Sequence, residues 1–489
     1  MSDEPSSREP AAARGPDAVA IVCGAALAAL LALHFLEPRL AMTWSYAHLG
    51  RDAWRVALAA LLVAGLPAAG AAAATRAAGL RAPLAPWSRA RVAGACAALV
   101  AAACALAAIA PAPYSNYDAV VFLRTVEAGE GGPGRWLLGA WGLQRLAAAL
   151  APLADARAVV GAANTVLAAL GLAALLATAR LVLRTRGEWL AVAALVASAF
   201  GTLQILLAYV DIYPLSLFAI GGYVWLAARS IERGAHPAAP AAAAALAPFL
   251  YIGLVLVVPS FAVVAWAEWR RARSARRIAW ACATALAVAG LATVPVLGRP
   301  FAWLAYLEAV RASSAAQAGL AAGSSLLPPE YLFTWTHASE VLHDVVLIDA
   351  AGWLFLLVAG GALALRRGAR ALPATAALAI AIAVPYTLYA LVMDPVYGAF
   401  YDWDLWSPGA GVVTLLGGWA LVAWGRDRAR LLGVLVGLAL AYDATHLLAR
   451  LNAVQVDSKR HLRESPYHFN LPPGERTPEE LKRRAYRRA

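Results

Sequence analysis

The chain has 489 residues, of which 62% are hydrophobic and 14% charged, and its mean hydropathy is +0.64. Soluble domains are about half apolar and about a quarter charged, so a water-soluble enzyme or binding module is excluded and a polytopic membrane protein is implied. The net charge of +12 rests almost wholly on arginine, with Lys459 and Lys482 as the lysines; gathered in short loops and the C-terminal tail, these cations suit anionic membrane lipids, and no nucleic-acid motif accompanies them.

In chain order, "MSDEPSSREPAAARGPD" lacks the basic opening of a signal peptide, so the first apolar run is expected to stay as an anchor. Runs able to cross a hydrocarbon core as helices fall at 18–36, 53–74, 91–111, 157–181, 188–208 and 212–228, then at 238–267, 278–297, 343–365, 371–393, 408–425 and 429–447. Long uncharged runs lack the alternation of a membrane barrel, which leaves an all-α polytopic bundle of about 11 to 13 spans. The run 238–267 is interrupted by Pro240, Pro248 and Pro259, which predicts two short helices meeting near "PFLY". Such a break is tolerated where it is buried in protein or faces a cavity. The segment "WLLGAWGLQRLAAALAPL" (136–153) reads as an interfacial helix, because Trp136, Trp141, Gln144 and Arg145 favour the headgroup layer. Cys23, Cys96, Cys104 and Cys282 lie inside apolar runs without paired spacing and read as small core residues.

Orientation follows from arginine in the short connections. "TRAAGLRAPLAPWSRAR", "RLVLRTR", "RSIER", "RRARSARR", "RRGAR" and "RDRAR" all belong on the cytoplasmic side. The chain then divides into a cytoplasmic tail (1–17), N-terminal spans (18–111), an extracytoplasmic loop with juxtamembrane helices (112–156), central spans (157–297), a second extracytoplasmic loop (298–342), C-terminal spans (343–447) and a polar basic tail (448–489).

Acids are scarce, and this threading places several near span ends on the extracytoplasmic face: Asp118 in "YSNYDAVVFL", Asp211 in "AYVDIYPL", and Asp394, Asp402 and Asp404 in "DPVYGAFYDWDLWS". A carboxylate that close to hydrocarbon is costly unless it is partnered or faces a wet cleft. Two readings of Asp118 stand side by side: the first turn of a helix capped by Asn116, or a catalytic base. Asp211 sits just before Pro214, which can open a helix, so it too has a structural reading. Asp402 and Asp404 share a face if the backbone is extended, and acids interleaved with aromatic rings suit a carbohydrate or a metal. The loop 298–342 adds Arg299, Arg311 and His337; an arginine there either clamps a phosphate through its planar fork or snorkels at the interface. No G-x-S-x-G elbow, P-loop or H-E-x-x-H occurs.

The order of these elements resembles the GT-C superfamily of integral membrane glycosyltransferases, especially bacterial members similar to the protein O-mannosyltransferase and aminoarabinose-transferase type. "SNYDAVVFL" with Asp118 is similar to that family's first extracytoplasmic loop, "GRWLLGAWGLQRLAAAL" to the segment after it, and "YVDIYPLSLF" to a recurrent aromatic-acid-x-Tyr-Pro element. The likeness covers roughly residues 105–300. Gly134-Arg135-Trp136 stands where many members carry His-Pro or His-His, and two additional spans precede the loop. The resemblance implies transfer of a sugar from a polyprenyl phosphate to a lipid, glycan or protein acceptor, in the bacterial cytoplasmic membrane. It implies Asp118 as base and Asp211 as a second catalytic acid; Asn116, Tyr117, Tyr213, Asp402 and Asp404 as contacts to sugar or acceptor; and Arg299 or Arg311 on the lipid phosphate. Some members use a divalent cation and others none, so the metal stays open. A transporter is the main rival class, yet acids at span ends and the lack of an internal repeat speak against it. A non-catalytic cell-envelope scaffold of GT-C-like fold is the other, favoured by the Gly134-Arg135-Trp136 departure.

Overall fold

The computed structural model describes residues 17–36, 53–76, 81–109, 137–207, 212–308, 332–367, 372–392, 407–426 and 428–456. Their regular structure is helical: α1 (Ala18–Leu36), α2 (Ala53–Arg76), α3 (Arg89–Ile109), α4 (Leu137–Leu150), α5 (Ala156–Val182), α6 (Arg186–Ser198), α7 (Phe200–Leu206), α8 (Tyr213–Arg233) and α9 (Ala238–Leu250). A 3₁₀ helix (Ile252–Ser260) leads into α10 (Phe261–Ala272) and α11 (Ala275–Leu291). After these come α12 (Trp335–Phe355), a π-helical turn (Leu356–Gly360), α13 (Gly361–Arg367), α14 (Ala374–Val392), α15 (Ser407–Gly425) and α16 (Ala429–Val456). Among the described residues nine helices are long and apolar enough to cross a membrane, joined by three shorter apolar ones. The chain is a polytopic helical membrane protein.

The centre of the bundle is α15, which has no charged residue and is buried on almost every side. Apolarity all round suits a helix enclosed by other helices. Around it, helices cross where glycine lets backbones meet. Gly171 of α5 faces Gly221 of α8, Gly352 of α12 faces Gly417 of α15, and Gly70 of α2 faces Gly433 of α16; a Cβ would enter the partner's backbone at each of these except Gly352, where it would meet the Asp349 carboxyl of its own helix. With no hydrophobic driving force between helices in lipid, such close approach supplies the dispersion energy of association.

Three expectations are corrected. The run 188–208 is two helices, because Ala199 leaves helical geometry (φ −46°, ψ 122°) between α6 and α7. Neither proline nor glycine occupies that position, and Gly201 just beyond it packs on Ile348 and Ser407, so the break is set by tertiary packing. Only Cys23 of the four cysteines is buried, while Cys104 and Cys282 are exposed on the bundle surface. In a membrane that surface is as apolar as the core, so hydropathy does not separate the two. The acids are also not confined to span ends, since Asp349 and Asp443 are buried within the bundle.

The break near "PFLY" occurs at Tyr251, which is extended (φ −156°, ψ 128°) and ends α9. It is buried in protein: Tyr251 meets Tyr213 edge-on at 5.7 Å between ring centres, and the Tyr306 hydroxyl donates to the Pro248 carbonyl at 2.7 Å. That carbonyl lies at the end of the interrupted helix, where it would otherwise lack a donor.

The arginine-bearing connections lie at one end of the bundle, tied to one another. Arg428 pairs with Asp17 at 2.9 Å, and Arg426 with Glu188 at 3.1 Å. Pro83 bridges Thr185, Arg180 lies over the rings of Trp87 and Trp189, and Thr375 donates to Glu232. Glu268 is held by Arg271 and, at 3.0 Å, by Arg277. The same two guanidinia donate to the Ser230 and Gly234 carbonyls at the end of α8, at 2.7 and 3.3 Å. Cations on helix C-terminal carbonyls also oppose the helix dipole.

Candidate functional site

At the opposite end the described helices place their termini beside one another. Gly139, in the first turn of α4, packs on Ile212, Leu215 and the Leu250 carbonyl; Gly201 of α7 packs on Ser407, the first residue of α15. In sequence, α4 follows the segment containing Asp118, Ile212 follows Asp211, and Ser407 follows the segment containing Asp402 and Asp404. Pro214 lies in the first turn of α8, as its sequence position suggests.

A cleft opens here between α12, α14 and α15. Val341, Ile348 and Trp353 line one wall, Tyr386 and Leu391 another, and Gly409 lies at the start of α15. The Tyr386 ring lies against Gly409, where a side chain would displace it. The cleft is thus bounded by the last turn of α14 and the first turn of α15, the two helix ends joined by residues 393–406. The buried His337, whose backbone N–H is capped by the Thr334 hydroxyl, brings Nε2 within 2.8 Å of the Leu391 carbonyl at this edge. Farther round the same end, Tyr306 packs on Phe249, and burial pushes its phenol above the ordinary value.

Of the residues singled out from the sequence, Asn116, Tyr117, Asp118, Asp211, Arg311, Asp402 and Asp404 lie outside the described residues. Tyr213 and Arg299 are described. Tyr213 is buried against Tyr251, beside the break that ends α9. Arg299 is exposed, in a turn whose backbone carbonyl accepts a 2.8 Å bond from the Thr293 hydroxyl. The Tyr213 ring meets Tyr251 and the Arg299 carbonyl meets Thr293, and these contacts share no residue. Among the described residues no three His, Cys, Asp or Glu side chains gather as a metal site, and the acids that could hold a cation are in the segments not described.

The structure shows two acids that the sequence reading did not single out. Asp349 interrupts α12 with non-helical geometry (φ −165°, ψ 64°). One carboxyl oxygen accepts from the Gly352 N–H at 2.8 Å, capping the helical turn that resumes after it; the other accepts from the Thr414 hydroxyl of α15 at 2.7 Å. Asp443 of α16 accepts from the Ser198 hydroxyl at 2.7 Å. Both are buried, and among the described residues no cation pairs with either. "VVLIDAAGW" and "LALAYDATHLL" each hold one acid in an apolar run, and that single letter was the available signal.

No family model matches the chain, and no curated protein is detectably similar in sequence. Among solved structures the chain is similar to the crystal structure of ArnT from Cupriavidus metallidurans bound to undecaprenyl phosphate. That superposition has 12% identity and a TM-score of 0.47, covering 74% of this chain and 78% of that one. It is too loose to carry an argument about activity. What the molecule itself defines is a polytopic helical membrane protein with an arginine-tied end and, opposite it, an apolar cleft beside the attachment points of acid-bearing segments.

Proposed function

We propose that this chain is an integral membrane glycosyltransferase that takes a sugar from a polyprenyl-phosphate donor and passes it to an acceptor at the extracytoplasmic face. The observation that carries the reading is the cleft between α12, α14 and α15. Its wall is mostly apolar, as a prenyl chain requires, and it ends at the two helix termini joined by the segment containing Asp402 and Asp404. A lipid-linked sugar has the same division, an apolar tail attached to a polar head.

In this reading Asp118 accepts the proton of the acceptor hydroxyl as its oxygen attacks the anomeric carbon. The bond from that carbon to the phosphate oxygen breaks, and the electron pair leaves on the phosphate. Arg299 or Arg311 stabilises that charge with a planar pair of N–H donors. Asp211 orients the acceptor or shares the proton. Asn116, Tyr117 and Tyr213 complete the acceptor side, while Asp402 and Asp404 hold sugar hydroxyls. Tyr213 does so by supporting the chain that leads into α8, since its ring is buried. A divalent cation, where one is used, would sit with the acids and supplies charge stabilisation only.

The test is transfer of label from radiolabelled polyprenyl-phosphate sugars by the purified protein in liposomes. Transfer by wild type, and its loss of at least a hundredfold in Asp118→Asn at unchanged thermal midpoint, is the expected result for removal of a general base. A variant that transfers at the wild-type rate removes Asp118 from the mechanism. Absence of transfer from any donor in the panel rejects the reading and leaves transport, for which the buried Asp349 and Asp443 would be the starting point.

A further inference from the structure

Tryptophan followed four residues later by arginine recurs in this chain, and the structure stacks the pairs. The Arg145 guanidinium lies 5.7 Å from the ring centre of Trp141, Arg229 5.0 Å from Trp225, Arg270 5.1 Å from Trp266, Arg273 5.8 Å from Trp269, and Arg428 5.3 Å from Trp424. At that spacing two side chains share a helix face, and a cation within about 6 Å of an indole is attracted to its ring. Arg428 is further engaged by Asp17. Arg270 and Arg273 are not: among the described residues no carboxylate pairs with either.

The turn from α10 to α11 sorts its arginines by direction. Arg271 and Arg277 point inward to Glu268 and the carbonyls ending α8. Arg270, Arg273 and Arg276 are exposed. The indoles on the same turn and its flanks are exposed as well, Trp266 by 49%, Trp269 by 42% and Trp280 by 59%. Since α10 and α11 belong to candidate spans, the turn lies where headgroups meet water, on the arginine-bearing end.

A second, independent observation concerns the backbone. Arg273 closes α10 in the left-handed conformation, with φ 49°. Elsewhere among the described residues positive φ falls at Gly234 (φ 70°) after α8, at Gly298 (φ 69°) after the short turn Val294–Leu297, and at one other residue with a Cβ, Phe301 (φ 57°), whose ring is used in packing on Gly290 and Trp303. Glycine adopts it without steric cost, whereas a residue with a Cβ does not. A position that needed only the turn would be best filled by glycine, so the arginine side chain has a use that offsets its backbone cost.

We infer that the α10–α11 turn is a binding site for an anionic phospholipid in the leaflet facing the arginine-bearing end. Arg270, Arg273 and Arg276 hold the phosphodiester, and the exposed Trp266 and Trp269 rings lie along the glycerol and upper acyl chains. Stacking on indole holds each guanidinium at headgroup depth while leaving N–H donors at its edge for phosphate. The N-terminus of α11, entering from the same turn, adds its positive dipole end. The site is remote from the proposed transfer cleft and independent of that reading.

The test uses the full-length protein in neutral detergent, equilibrated with mixed phosphatidylglycerol and phosphatidylcholine micelles, with the retained lipids measured by mass spectrometry. Wild type is expected to retain phosphatidylglycerol selectively. Each arginine near an anionic surface is worth about fivefold in affinity, so R270Q/R273Q/R276Q should lose at least about tenfold of that selectivity at unchanged phosphatidylcholine retention. Arg273→Gly is the sharper variant: relief of the left-handed backbone should raise the thermal midpoint in neutral detergent, while phosphatidylglycerol retention falls about fivefold. Wild-type selectivity in either variant overturns the site. So does full selectivity in R270K/R273K/R276K, which would reduce the effect to diffuse charge. Displacement of the lipid by excess inorganic phosphate would overturn the commitment to a phospholipid. Should the triple variant not fold, R273G and the phosphate competition on unaltered protein still decide.

Discussion

Glu268, at the arginine-bearing end, and Asp349 with Asp443, inside the bundle, are all nearly inaccessible, with 1%, 3% and 4% of their surface exposed, yet they are held by different means. Glu268 has two guanidinia on it, each about one third exposed, and those guanidinia also close the carbonyl end of α8. Asp349 and Asp443 have hydroxyls and one backbone N–H. The contrast follows from depth. At the headgroup level a guanidinium reaches a buried acid while part of it stays hydrated, so the desolvation cost of the pair is limited. Between close-packed spans the donors are Ser198, Thr414 and the free N–H at a helix restart.

The largest expected effect is at Glu268. Replacing it with alanine leaves Arg271 and Arg277 beside each other without a counter-charge and should cost about 3 kcal/mol, the lower part of the range for breaking a buried pair, because the guanidinia can take up water. Thermal unfolding in neutral detergent reads this directly. Glu268→Gln should cost less, since its amide oxygen still accepts. The contrast between the two regions breaks if Glu268→Ala destabilises no more than Asp349→Ala.

How far each region was legible in the sequence follows the same division. The interruption at "PFLY" and the place of Pro214 are local signals with local causes, and the structure bears out both, while the arginine connections lie together at one end of the bundle. The triad at Glu268 was half visible: Glu268 and Arg271 are one turn apart, but Arg277 arrives from the next helix and Ser230 from an earlier one. Asp349 and Asp443 were hidden because averaging hydropathy over a span dilutes one acid among many apolar residues, and their donors come from helices far away in sequence. The break at Ala199 had no signal, since it depends on Gly201 meeting Ile348 and Ser407. Of the proposed transfer residues, Tyr213 alone carried an aromatic environment that the structure displays.

Asp349 comes next in size. Asp349→Ala removes the cap of the resumed helix and the acceptor for Thr414, although the Thr414 hydroxyl can turn its single hydrogen to the Ala410 carbonyl, 2.9 Å away. Loss of a cap plus one buried hydrogen bond predicts about 2 kcal/mol. Asp349→Asn should recover more than half of that in the same unfolding assay, because an asparagine oxygen caps about as well as aspartate does. An asparagine variant as unstable as the alanine would mean that negative charge, and not hydrogen bonding, holds this region, and would erase the contrast with Glu268.

The smallest effect is at Ser198, and it is the most informative about the interior pair. Ser198→Ala removes a hydroxyl that donates to Asp443 at 2.7 Å and should cost about 1 kcal/mol. In a double-mutant cycle with Asp443→Asn the two changes should be coupled by most of that amount, since each removes the same contact. Coupling near zero would show that Asp443 is positioned without Ser198. Repeating the cycle in Asp349→Asn gives a third arm. If hydroxyl donation is the dominant support, the Ser198–Asp443 coupling stays the same there; if the carboxyls chiefly act on each other, it changes with the charge at 349, and the interior acids would have to be treated as one group.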